Sequence, residues 1–340
     1  MRIAVLGSGG VGGYFGGRLA AAGADVTFLA RGAHLEAMRT HGLRIQSPKG
    51  NVHITNTKAT ADPSEIGPVD IVFFAVKLYD TEPAIAMLPP LIGPDTAVIP
   101  LQNGVDSVAR LTDAVGPRHA ADGTCYVSAV IAEPGVIKHT AMDHLFFGEL
   151  DGRRTPRMEA LLDACGPAGF QSTLSSDINV DIWTKFVRLS VLSGLTTVTR
   201  SPLGVVCNDP QLFAMLKDAV REAMNVARAN GINVPATSVD DVAAAYTALP
   251  PQTKSSMLED LERGRRLELP WLSGALVRIA GEVGVETPIH RFITAVLGPY
   301  VSGQPEQRIQ NLPRPTYGPL RTSPAAGTPE PSPTDRSPID

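Results

Sequence analysis

The run Gly7-Ser8-Gly9-Gly10-Val11-Gly12 has the spacing G-x-G-x-x-G. Such a turn does chemistry only when a buried strand leads into it and a helix leads out, because the free N–H groups of the helix's first turn then converge on an anion. Both conditions are met. Residues 2–6 (Arg-Ile-Ala-Val-Leu) are a short apolar run, a small-residue helical stretch extends to about residue 22, Gly23 caps it, and residues 25–30 form a second apolar run. Strand, glycine turn, helix and strand in about 30 residues is a βαβ unit. In that context Gly7 permits the tight turn, Gly9 lets the backbone approach a pyrophosphate, and Gly12 allows close packing of helix on strand. Ser8, Gly10 and Val11 belong to the same cradle. The competing reading is a glycine turn with no ligand.

The end of the second strand distinguishes between dinucleotides. A site selective for NAD places Asp or Glu there for the ribose 2′-hydroxyl. This chain has Leu29-Ala30-Arg31-Gly32 instead. The planar guanidinium of Arg31 suits a 2′-phosphate, with no nearby carboxylate in the sequence to compete for it, so NADP(H) is favoured over NAD(H). The alternative for Arg31 is a solvated surface arginine. Two more polar residues follow apolar strands: Lys77 directly after residues 71–76, and Asn103 just past residues 97–100. Ligands of open α/β sheets bind outside the carboxyl ends of the strands. On spacing alone, Lys77 is either a crevice residue or a solvated strand-end lysine, and Asn103 either a crevice residue or part of an Asn-Gly turn.

The elements that must position these residues are legible as a pattern. Apolar strands at 69–76 and 96–100, with further strands near 121–132 and 144–148, alternate with helical segments. This predicts an α/β class protein with an N-terminal Rossmann-like, doubly wound, mostly parallel sheet over residues 1–175. Near residue 175 the period changes. Up to 303 apolar residues recur at helical spacing, most plainly over 209–230, where Leu212, Met215, Leu216, Ala219 and Met224 share a face and Asn230-Gly231 supplies the stop. An all-helical C-terminal domain over 176–303 follows. Residues 304–340 are rich in Pro, Ser, Thr and Gly and are expected to be disordered.

Composition narrows the function class. With 340 residues, 43% hydrophobic, 19% charged and a net charge of −4, the chain has the make-up of a soluble globular protein and no basic tract for nucleic acid or an anionic membrane. No apolar run approaches the roughly 18–20 residues of a membrane helix, and no signal peptide is expected. Cys125, Cys165 and Cys207 are scattered and odd in number, which suggests neither a disulfide framework nor a metal site; they are expected to be buried, and the compartment to be the cytosol.

Taken together, these features resemble the ketopantoate reductase (2-dehydropantoate 2-reductase) family over about residues 1–300. The resemblance rests on Gly7–Gly12, Arg31, Val76-Lys77, Gln102-Asn103-Gly104, Ile182-Trp183-Thr184-Lys185-Phe186, Ser255-Ser256-Met257-Leu258-Glu259-Asp260 and Gly264-Arg265-Arg266-Leu267-Glu268, in that order. It implies hydride transfer from NADPH to the ketone of 2-dehydropantoate or a related small 2-oxo acid, in a pathway to coenzyme A. By the same resemblance Lys185 matches the catalytic lysine: an ammonium can stabilise the charge building on the carbonyl oxygen and then donate the proton. Lys77 and Asn103 match contacts to cofactor and substrate, Ser256 a substrate-binding serine, and Glu268 an acid near the nicotinamide ribose. Without the resemblance, Lys185 is a solvated lysine on an amphipathic helix, Ser256 a first-turn serine and Glu268 a solvated glutamate.

The chain also departs from the pattern. The family has asparagines four and eight residues after the lysine and a third further on; here those positions are Leu189, Ser193 and Leu203. Lys185, Leu189 and Ser193 share a helix face, which would offer substrate one lysine, one apolar group and one hydroxyl, with Ser190 close by. The implied substrate therefore extends to a less polar 2-oxo acid. Two alternatives remain: a non-catalytic NADPH sensor, and a reductase of the same fold acting on another ketone. A helical second domain is also compatible with a homodimer.

Overall fold

The computed structural model describes residues 1–235 and 238–303, within one compact unit, Met1–Gln304. The expected disordered tail at 304–340 lies outside the described residues.

The apolar run leading into the glycine turn is β1 (Arg2–Leu6), with Ile3 to Leu6 all buried, as a strand covered on both faces requires. Next, α1 (Gly10–Ala21) is capped at Ala22, one position before the expected cap Gly23, which sits at φ +95°. β2 (Asp25–Leu29) then pairs parallel with β1. After α2 (Gly32–His41) the chain leaves this sheet for β3 (Leu43–Gln46) and β4 (Val52–Ile54), and returns as β5 (Lys58–Thr60) beside β2. β6 (Val69–Phe74) lies on the other side of β1; after the short α3 (Thr81–Ile85), β7 (Ile92–Pro100) pairs with β6. The order β5-β2-β1-β6-β7 is parallel throughout. The winding reverses between β1 and β6, so the glycine turn sits at the switch point of the sheet.

The strands expected near 121–132 and 144–148 do not extend that sheet. After α4 (Ser107–Val115), β8 (Asp122–Glu133) and β9 (Val136–Gly148) form a long antiparallel hairpin. With β3, β4 and, after α5 (Pro156–Cys165), β10 (Gln171–Leu174), they make a second, mixed sheet. The glycines of α1 explain the arrangement. An added Cβ would come within 2.8 Å of Ile137 at Gly13 and 2.7 Å of Ile45 at Gly17, both in the second sheet. At Gly16 it would come within 2.6 Å of Val5 in the first. The helix is clamped between two sheets, and its small residues are what such close packing demands.

Among the described residues no strand follows β10. The helical half comprises α6 (Ile178–Thr199), α7 (Leu203–Asn208), α8 (Pro210–Ala229), α9 (Val239–Thr247), α10 (Ser256–Glu262), α11 (Ser273–Val283) and α12 (Pro288–Leu297). α6 starts on the Asp177 carboxylate, which accepts from Val180 N, and runs 22 residues. Its Trp183, Phe186 and Val191 share a core with Leu216, Val220 and Met224 of α8 and Ile293 of α12. The helix expected over 209–230 matches α8, started by Asp209. Its expected face needs one correction: Leu216, Ala219 and Met224 are buried, but Met215 is 37% exposed, because it lies about 100° around the helix from Leu216. Cys125 and Cys165 are buried and Cys207 only partly so. Among the described residues, no helix is long and apolar enough to cross a membrane and no side-chain cluster could hold a metal ion.

Candidate active site

The carboxyl edge of the parallel sheet carries the first part of the site. Gly7 sits at φ +103°, where a side chain would also strike Ala75 and the Val76 nitrogen at 2.6 Å; only glycine allows this turn to pass so close to the end of β6. Around Gly9 nothing lies within 4 Å of an added Cβ, whereas Gly12 would place one 2.3 Å from the Gly7 carbonyl. The backbone is therefore open at Gly9 and tightly packed at Gly12. α1 has no side-chain cap, so its first-turn N–H groups remain for a ligand's phosphates. These features fit a dinucleotide pyrophosphate. Gly10 has a structural reason to be glycine: an added Cβ would lie 2.0 Å from the Ala129 carbonyl of β8. The Ser8 hydroxyl is committed to the Leu29 carbonyl at 2.9 Å, tying the turn to the end of β2, and Val11 is partly buried beside it. Arg31 caps α2, is exposed, and forms no ion pair among the described residues.

The second part is a chain of polar contacts joining the two halves of the molecule. Lys185 Nζ donates to Asn103 Oδ1 at 3.0 Å, and Asn103 Nδ2 donates to Glu268 Oε2 at 3.2 Å. The other Glu268 oxygen accepts from Leu78 N at 3.3 Å. Lys77 pairs with Asp260 of α10 at 3.2 Å. Four residues singled out from sequence, Lys77, Asn103, Lys185 and Glu268, are thus brought together from four separate segments. The two lysines differ. Burial lowers the pKa of Lys185 below the usual lysine range, opposed only in part by Cys125 and Glu268. Burial acts in the same direction on Lys77, but the Glu268 and Asp260 carboxylates outweigh it and hold its pKa high. The ring of Tyr126 on β8 lies 5.9 Å from Lys185 Nζ.

The remaining candidates are placed differently. Ser256 is exposed at the start of α10, one turn before Asp260. Its neighbour Ser255 is buried, caps α10 through Leu258 N at 3.1 Å, and bonds Thr196 of α6 at 2.8 Å. Ser193, two turns after Lys185, is buried and its hydroxyl has no hydrogen-bond partner; the same is true of Ser190. Leu189 packs against the helical core, and Leu203 is buried within it. Sequence reasoning gave no role to Asp260, Cys125 or Tyr126. Asp260 lay within a quoted motif, but nothing local marks it as a lysine's partner, since its contact with Lys77 spans 183 positions.

A Brønsted-acidic ammonium held by a carboxamide beside an open dinucleotide cradle is equipped to polarise a carbonyl by hydrogen bonding and then donate a proton. Comparison with known proteins identifies the family. Residues 3–152 match the model of ketopantoate reductase PanE/ApbA, and residues 177–301 that of its C-terminal domain. The chain is 33% identical to the uncharacterized oxidoreductase YkpB of Bacillus subtilis, over 88% of this chain and 99% of that protein. It is 30% identical to the 2-dehydropantoate 2-reductase of Archaeoglobus fulgidus, over 89% and 98%. The crystal structure of a PanE/ApbA family ketopantoate reductase from Ralstonia eutropha superposes with a TM-score of 0.80 at 30% identity, covering 88% of this chain and 98% of that one. The chain belongs to the ketopantoate reductase family, oxidoreductases that act on a CH–OH group.

Proposed function

We propose that this protein reduces the ketone of 2-dehydropantoate, or of a closely related 2-oxo acid, with NADPH, and that Lys185 is the general acid. The observation that carries this reading is the Lys185–Asn103–Glu268 chain, which holds a partly buried ammonium at the carboxyl edge of the sheet. Bound at the glycine turn, the nicotinamide cofactor would supply the hydride. Gly7 to Gly12, through backbone groups, and Arg31 would hold its phosphates, with Lys77, Asn103 and Glu268 nearer the nicotinamide end. Lys185 Nζ would stabilise the developing alkoxide and pass it a proton, a transfer favoured by the lowered pKa of the ammonium. Ser256, exposed at the start of α10, would contact substrate, whereas Ser193 is fully buried.

Arg31 supports NADPH over NADH, since its exposed guanidinium has no ion-pair partner among the described residues. Leu189, one turn after Lys185, supports a second reading in which the substrate's side chain is less polar than that of 2-dehydropantoate, because this face has no carboxamide to bind hydroxyls. A cytosolic enzyme is consistent with either reading. The exposed Phe292 and Val296, four residues apart on α12, offer a surface for a homodimer.

The test is a panel of 2-oxo acids, 2-dehydropantoate included, followed by cofactor absorbance with NADPH and with NADH. Turnover of 2-dehydropantoate with NADPH supports the first reading; preference for an apolar 2-oxo acid supports the second. Tight NADPH binding with no turnover of any member would leave a sensor as the better account.

A further inference from the structure

The segment that carries Asn103 is secured by Gln102. Its amide nitrogen donates to the Val76 carbonyl and to Thr81 Oγ1, both at 3.0 Å, which fixes the orientation of the carboxamide. Gln102 Oε1 is then buried and has no hydrogen-bond partner, and Ser107 Oγ, at the start of α4, is in the same position. Both residues line one small, partly open cavity of about 10 Å³, together with Asp122 at the start of β8 and Ile182 of α6. Asp122 is 8% exposed, and the bond its carboxyl makes is from the adjacent Gly123 N, at 2.8 Å. A buried oxygen without a partner is costly, and three oxygen-bearing side chains around one small cavity make a polar site. A volume of about 10 Å³ is the lower bound for one water. A ligand larger than water would not fit, and among the described residues no side-chain cluster could hold a metal ion.

We propose that this cavity binds one water molecule bridging Gln102, Ser107 and Asp122, and that Asp122 and Ser107 are positioning residues that hold Asn103 in register with Lys185. The water donates to Gln102 Oε1 and to one further oxygen, and accepts from a carboxylic acid or hydroxyl on the opposite wall. Burial raises the Asp122 pKa to about 7, so at neutral pH a large share of the protein carries the acid form that can donate. Ile182, three residues before Lys185 on α6, closes the cavity. The same small site therefore abuts both the turn that presents Asn103 and the helix that presents Lys185. A change in the cavity should be felt in the contact between them, where a displacement of about 1 Å is enough to slow a reaction greatly.

The experiment combines crystallography of the full chain with kinetics of three variants. A structure that orders internal water should place one water within hydrogen-bond distance of Gln102 Oε1, Ser107 Oγ and the Asp122 carboxyl. Asp122→Leu should lower kcat about tenfold with the NADPH Kd within about twofold of wild type, and Asp122→Asn, which keeps a donor and an acceptor, should restore most of it. Ser107→Ala should lower kcat by a smaller factor, and it carries the test if Asp122→Leu does not fold. A dry cavity overturns the proposal. So does wild-type kcat in the folded variants, an Asn variant as impaired as Leu, or a loss in which Kd rises as much as kcat falls. If the wild type turns over no 2-oxo acid, the crystallographic result alone decides, so failure of the reductase reading is not confused with failure of this one.

Discussion

Lys77 and Lys185 both feel the charge of Glu268 from opposite halves of the molecule, and their surroundings differ. Lys77 stands at the end of β6 with 45% of its side chain exposed, paired with Asp260. Two carboxylates outweigh its burial and keep it charged. Lys185 rises from the middle of α6, is held by a neutral carboxamide, and has its pKa lowered by burial. A lysine stabilised as a cation suits a fixed charge beside a phosphorylated cofactor; one whose charge is disfavoured suits proton donation. Under the proposed function the sheet half would supply static binding and the helical half the chemistry.

Mutation should separate these tasks. The largest effect is expected for Lys185→Ala, which should lower kcat by about 10²–10⁴-fold while NADPH affinity, read by fluorescence, stays within about twofold. Equal losses in kcat and affinity would break the distinction. Arg31→Ala should raise the NADPH Kd about tenfold, the equivalent of one charge-assisted contact, and leave NADH binding unaltered. Lys77→Ala should weaken cofactor binding by about fivefold and change kcat at saturation far less than Lys185→Ala does. If Lys77→Ala instead matched Lys185→Ala in kcat, the two lysines would share one role.

A smaller contrast should appear in stability. His290, buried among α8, α11 and α12, bonds Ser273 and the Ala219 carbonyl, and burial pushes its pKa down to about 4. The folded chain keeps it neutral while the unfolded chain takes up a proton below about pH 6.5. Its contribution is therefore present above that pH and lost as pH falls toward 4. Asp122, in the sheet half, behaves in the opposite sense: its pKa is raised to about 7, so its contribution is present below about pH 4 and lost as pH rises through 7. Melting curves at several pH values should show that His290→Gln flattens the acid-side fall in Tm by a few degrees and that Asp122→Asn flattens the decline that Asp122 causes between about pH 4 and 7. An unchanged slope in either variant would contradict that assignment.

The parts of this site legible in sequence are those whose chemistry is local. Gly7, Gly9 and Gly12 encode backbone geometry within one turn, and the strands ending at Leu6 and Phe74 announce themselves as apolar runs. Lys185 needed the family pattern, because its burial comes from β8 and a carboxamide 82 positions away. Of the second sheet only β8 and the end of β9 were expected as strands, because β3, β4 and β10 are runs of three or four residues with little apolar signal; the glycines of α1, packed on both sides, hold the clue to a separate layer, and their partners are remote in sequence. Asp260 and Asp122 were not singled out because an aspartate's role is set by what surrounds it. One gains a lysine from the other half of the molecule and the other a polar cavity.

The central claim is that Lys185 donates the proton with an acidity set by burial, and the pH dependence of kcat for ketone reduction tests it most directly. The donor must be protonated, so kcat should fall as pH rises, along a single limb whose midpoint lies below the ordinary lysine value of about 10.4, and that limb should vanish from the residual activity of Lys185→Ala. A rate that stays flat to about pH 10.4, or the same limb in Lys185→Ala, would contradict the account.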